Sequence, residues 1–164
     1  MKSTRRNFLV WVGMGLNAVA AALLSLPILG YLGGALKNRG KDQAWIGLGA
    51  LDSFPVGQTR LATYRNPFTT PWDGQTADTP CWVRRIAADR FQVFAINCTH
   101  LGCPVRWFPE SGLFMCPCHG GVYYEDGEHA SGPPPRRLYE YEYRITDGQL
   151  EVRGGRLPTL AQPV

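Results

Sequence analysis

Two hexapeptides concentrate the metal-binding chemistry of this chain. CTHLGC at 98–103 and CPCHGG at 116–121 supply four cysteines and two histidines, with 12 residues between them. Thiolate and imidazole are the usual protein ligands for iron–sulfur clusters, zinc and copper. Three chemistries can use such a set. A structural zinc site would take two cysteines and two histidines and leave two cysteines spare. A framework of disulfides alone would ignore His100 and His119. A [2Fe–2S] centre of mixed ligation takes two thiolates on one iron and two imidazoles on the other. The fifth cysteine, Cys81, lies in a β-rich run and reads as a buried small hydrophobe. The third histidine, His129 in EDGEHA, reads as a solvated surface residue, and Trp107 and Phe108 as core.

The elements that must position these boxes follow from the rest of the 164 residues. No charged residue occurs between Arg6 and Lys37, and the apolar run over 8–36 exceeds the roughly 20 residues that cross a bilayer core, so it reads as a transmembrane anchor. STRRNFL at 3–9 overlaps its start and resembles a twin-arginine export signal, with residues 1–7 as the charged leader. Cleavage after the small residues at Ala18, Ala20 and Ala22 would leave too short an apolar stub to hold, so the segment is expected to stay attached. KNRGKDQ at 37–43 reads as a flexible tether. Residues 1–41 carry six of the 17 basic residues and no acid, which leaves 11 against 13 acidic ones and a head of net charge −2. The overall +4 therefore belongs to the membrane flanks, where it meets anionic lipid, and is no nucleic-acid footprint.

From 44 to 154 the pattern is all-β and antiparallel. CWVRRIA at 81–87 and FQVFAI at 91–96 are strand-like, and YEYRI at 141–145 faces QLEVR at 149–153 across Asp147-Gly148, a strong hairpin signal. TTPWDGQTAD at 69–78 reads as a surface excursion, and 155–164 as a loose tail.

With anchor, tether, β head, both boxes and SGPPP at 131–135 in this order, the chain resembles the Rieske iron–sulfur subunits of quinol:cytochrome c oxidoreductases. The resemblance implies a Rieske-type antiparallel head with its cluster-binding part at about 97–135. It also implies one [2Fe–2S] cluster held by Cys98, His100, Cys116 and His119, and a disulfide between Cys103 and Cys118. The oxygenase branch of the family has the ligand spacing without that pair of cysteines. Leu101, Gly132, Pro133 and Pro134 match residues that cover the cluster. In operation the resemblance implies that His119 contacts quinol and accepts a proton and an electron, and that the head moves on its tether between a cytochrome b partner and a c-type cytochrome. The resemblance also implies a multi-subunit, dimeric complex in the inner membrane, and the export signal places the expected head on the extracytoplasmic side. A small subunit of an arsenite oxidase-like molybdoenzyme and an oxygenase ferredoxin are the alternatives. In high-potential members of the family, the position of Gly121 is a serine that donates to a bridging sulfide, and the position of Tyr123 is a tyrosine that donates to a cysteine sulfur. This chain keeps one donor and lacks the other. The lost bond implies a potential lower by about 65–130 mV, and hence a match to menaquinol, unless Gly121 only suits a tight turn and a water supplies the donor.

Overall fold

The computed structural model describes residues 4–37, 43–69, 72–155 and 157–160. The expected tether lies almost wholly in 38–42, outside these residues, as does the start of the leader. The chain divides into two units, Met1–Lys41 and Asp42–Val164.

Among its described residues the first unit holds one helix, α1 (Arg5–Lys37), which contains Pro27. It is long and apolar enough to cross a membrane over Arg5–Gly33. A spanning helix satisfies its backbone internally, which is what a bilayer demands. The Asn17 side chain follows suit by donating to the Gly13 carbonyl at 2.8 Å.

The described residues of the second unit form three antiparallel sheets. β1 (Gln43–Ala50), β11 (Gln149–Gly155) and β10 (Tyr143–Thr146) form one, in that order. A second has the order β2 (Thr59–Arg65), β3 (Asp78–Arg85), β4 (Phe91–Ala95) and β9 (Glu140–Tyr141). The third is a meander of β5 (Arg106–Phe108), β6 (Leu113–Cys116), β7 (Gly121–Tyr124) and β8 (His129–Ser131). The β10–β11 turn has Asp147 at φ 50 and Gly148 at φ 73, the two positive values that a tight hairpin of right-handed twist requires. The expected strand at 141–145 is split. Tyr141 pairs with Val93 in the second sheet and Tyr143 with Val152 in the first, so the chain changes sheets at Glu142.

Strand alternation gives the second sheet two apolar faces. Cys81, Val83, Val93 and Ala95 join Tyr64, Tyr141, Leu150 and Val152 in a core against the first sheet. On the other face Phe94 and Trp82 meet Val105, Phe114, Tyr123 and Leu138 in a second core under the third sheet. Trp82 locks this contact by donating its indole N–H to the Val105 carbonyl at 3.1 Å. Trp107 packs on Phe114 with ring centroids 4.7 Å apart, as a core residue should. Phe108 does not. In the three-residue strand β5 it shares the outward side with Arg106 and is exposed. The tail is not loose throughout either, because Pro158 is buried and its carbonyl accepts a bond from the Asn97 side chain at 2.6 Å.

Candidate metal centre

The two boxes are built alike. β4 runs on into a hairpin in which Val105 donates to Ile96 and Cys98 to Cys103, both at 2.8 Å, with Asn97 bridged to Pro104. Within it Gly102 donates back to the Cys98 carbonyl at 3.0 Å. The second box joins β6 to β7, and there Gly120 donates back to the Cys116 carbonyl at 3.2 Å. Gly102 at φ 80 and Gly120 at φ 71 close these turns in the left-handed region, where a side chain is strained. In each loop the leading cysteine thus points inward and its histidine rides on the turn. Cys98 and Cys116 are 2% and 4% exposed, whereas His100 is half-buried and His119 exposed.

The fold pairs the two histidines with each other and the two leading cysteines with each other, on loops that are joined. The His100 and His119 rings meet edge to face with centroids 4.9 Å apart. Cys103 and Cys118 are joined as a disulfide between the loops. The sulfurs of Cys103, Cys116 and Cys118 lie within 4.8 Å of one another, but two of them are spent on that bridge, so Cys116 is the thiol on offer there. Burial pushes the Cys98 thiol up, opposed by hydrogen bonds from Tyr123 and from the backbone at His100 and reinforced by Cys116 beside it. A bound metal would reverse that, since its charge stabilises thiolate. Two buried adjacent thiols and two adjacent imidazoles fit a [2Fe–2S] cluster of mixed ligation, and with Cys103 and Cys118 joined to each other these four are the donors that the two boxes leave over.

Tyr123 stands behind the site. Its hydroxyl lies 3.1 Å from the Cys98 sulfur, accepts from the Thr99 N–H at 3.1 Å, and is 3.1 Å from the Thr99 hydroxyl, which donates to the Arg136 carbonyl at 2.8 Å. Thr99 and Asn97 escaped the sequence reading. Both are buried polar residues flanking Cys98, a position that was their only local signal.

The proline-rich segment after β8 closes against the second box. A Cβ on Gly132, at φ 90, would lie 2.5 Å from the Gly120 carbonyl oxygen. His129, exposed as expected, is also engaged. Its Nε2 is 3.2 Å from the Gly132 carbonyl and its ring packs edge-on to Tyr123. Leu101, which follows His100 in the chain, is 70% exposed.

A family model for the Rieske [2Fe-2S] domain matches residues 57–142, which span the second and third sheets and both boxes. The chain belongs to the Rieske family. It is 31% identical over 148 residues to the cytochrome b6-f complex iron-sulfur subunit of Chlorobaculum tepidum, covering 90% of this chain and 74% of that one. It is 30% identical over 152 residues to the menaquinol:cytochrome c reductase iron-sulfur subunit of Bacillus subtilis, covering 90% and 89%. Among solved structures it is similar to a plasma-membrane Rieske protein of Synechocystis, with 27% identity, a TM-score of 0.41, and coverage of 55% of this chain and 84% of that one. The Rieske cofactor is a [2Fe–2S] cluster, and the one long apolar helix among the described residues supplies a single-pass membrane anchor.

Proposed function

We propose that this chain is the electron-transfer subunit of a membrane quinol:cytochrome c oxidoreductase, with Cys98 and Cys116 on one iron and His100 and His119 on the other. The meeting of two buried thiols with two outward imidazoles on disulfide-linked loops carries the reading. The menaquinol reductase and b6-f relatives favour it over the arsenite oxidase-like alternative. When bound, the cluster accepts and passes on a single electron. The chain's own residues supply the rest. Cys98 and Cys116 keep the inner side dry, and Tyr123 holds a hydroxyl at the Cys98 sulfur. His119, the more exposed imidazole, is the group that meets quinol, because a ring bound through one nitrogen leaves the other free to hold a proton. Leu101 gives the same tip an apolar contact. A cytochrome b subunit and a c-type cytochrome in a dimeric complex are the partners, and menaquinol is the donor. The head lies on the extracytoplasmic side, exported by the STRRNFL signal.

The test is paramagnetic resonance of the reduced full-length protein in membranes. It should show the rhombic, low-average-g signal of a histidine-ligated [2Fe–2S] centre, and His100→Ala and His119→Ala should each abolish it. A colourless chain holding one zinc would overturn the assignment.

A further inference from the structure

Gly121 is not a turn residue. It lies in β7, paired with Cys116, and its backbone is outside the left-handed region that Gly120 adopts next to it. What the position excludes is a side chain. A Cβ built on Gly121 would sit 2.6 Å from Cγ and 3.1 Å from Cδ of Pro134, and 3.5 Å from the Cβ of Cys116. The first distance is far inside van der Waals contact, and both Gly121 and Pro134 are buried. The pyrrolidine ring thus fills the volume that a side chain at 121 would need, beside a cysteine assigned above as a ligand.

The ring cannot retreat easily. Two positions earlier Gly132 lies so near the second box that its own Cβ would meet the Gly120 carbonyl oxygen at 2.5 Å and the Gly121 Cα at 3.0 Å. His129 reaches the Gly132 carbonyl from β8. Downstream, Leu138 donates to the Gly127 carbonyl at 2.8 Å, and Arg137 pairs with Glu128 and Glu140. The segment is held at both ends, with Pro134 between.

Proline is a telling occupant. It has no N–H, and its ring is apolar, so it gives the Cys116 side no hydrogen-bond donor and leaves no room there for a water to act as one. Donors to cluster sulfur favour the reduced, more negative state, so withholding them lowers the potential. We propose that Pro134 sets the potential of this centre by occupying the donor position at residue 121, so that Gly121 and Pro134 act as one unit. The inference rests on the ligand assignment above and names the residue that enforces its low-potential character. It also alters what the single change Gly121→Ser can reveal, since the new side chain collides with Pro134 before its hydroxyl reaches sulfur.

The experiment is a redox titration of the full-length protein in detergent, followed by paramagnetic resonance, on four variants. Gly121→Ala/Pro134→Ala supplies the Cβ and the space without a donor, and Gly121→Ser/Pro134→Ala adds the hydroxyl. The serine pair should favour reduction at least tenfold over the alanine pair, about 59 mV for a one-electron couple. Gly121→Ser alone should show lowered cluster content and less than half that gain, while Pro134→Ala alone should keep its cluster and fall below the serine pair. Equal potentials in the two double variants would overturn the proposal, as would the full gain from Gly121→Ser alone at native cluster content. Loss of the Rieske signal in the unaltered protein would instead strike the ligand assignment, so the two failures are distinguishable.

Discussion

Tyr123 has a single hydroxyl proton and two neighbours that could accept it, the Cys98 sulfur and the Thr99 hydroxyl. Thr99 spends its own proton on the Arg136 carbonyl, and its backbone N–H already donates to the tyrosine oxygen. The tyrosine is therefore free to donate to sulfur, and a thiolate is the stronger acceptor. Tyr123→Phe removes that donor and leaves the buried Thr99 N–H without its partner. The expected outcome is a potential lower by about 65–130 mV, from a charged hydrogen bond of roughly 1.5–3 kcal/mol, read by voltammetry. An unchanged potential would show that the proton is held by Thr99 instead. The two boxes were legible in the sequence because each packs its cysteines and histidine into six consecutive residues, and the Cys103–Cys118 bridge that the resemblance implies is present. Thr99 and Asn97 were not, because their partners Tyr123 and Pro158 lie 24 and 61 positions away. Phe108 was misjudged because hydrophobicity alone does not say which way a three-residue strand faces.

At the scale of elements, both cluster loops hang from strand ends that other segments must hold. The disulfide closes a separation of 15 residues, a loop for which a cross-link is worth about 3 kcal/mol. Cys103→Ser should therefore lower cluster occupancy and melting temperature while leaving all four ligands in place, measured as iron per chain and by calorimetry. The C-terminal segment holds the other end of the first box. Ending the chain after Gly155 removes the Pro158 carbonyl from the buried Asn97 amide, whose Oδ1 has no hydrogen-bond partner among the described residues. Such a truncation should cost about 1–3 kcal/mol, the penalty of a stranded buried polar group, seen as a lower denaturation midpoint. The Asp147-Gly148 hairpin was legible because its turn is a local property of two residues. The division of 141–145 between two sheets was not, since a change of sheet depends on which distant strands, β4 and β11, compete for each side of Glu142.

The whole molecule separates two solvents, with α1 suited to lipid and the β unit to water. Chain retained in membranes after a carbonate wash, but soluble and still carrying its cluster when residues 1–42 are removed, is the expected outcome of fractionation. Release of the intact chain by the wash would refute the anchor. Within the β unit, the lobe bearing both boxes departs from β4 and returns through β9, which are themselves hydrogen-bonded neighbours at Val93–Tyr141 and Phe94–Glu140. Its two chain ends are thus only about 5 Å apart, the spacing of an antiparallel pair. That makes the lobe a cassette plugged into a closed scaffold. The entropy of bringing its ends together is already met by the pair that brackets it, whatever sequence lies between. A foreign cassette whose ends match this spacing, and which offers the same apolar face to Trp82 and Phe94, can be spliced in and bring its own potential with it, so electrochemical character is transplantable separately from the anchor.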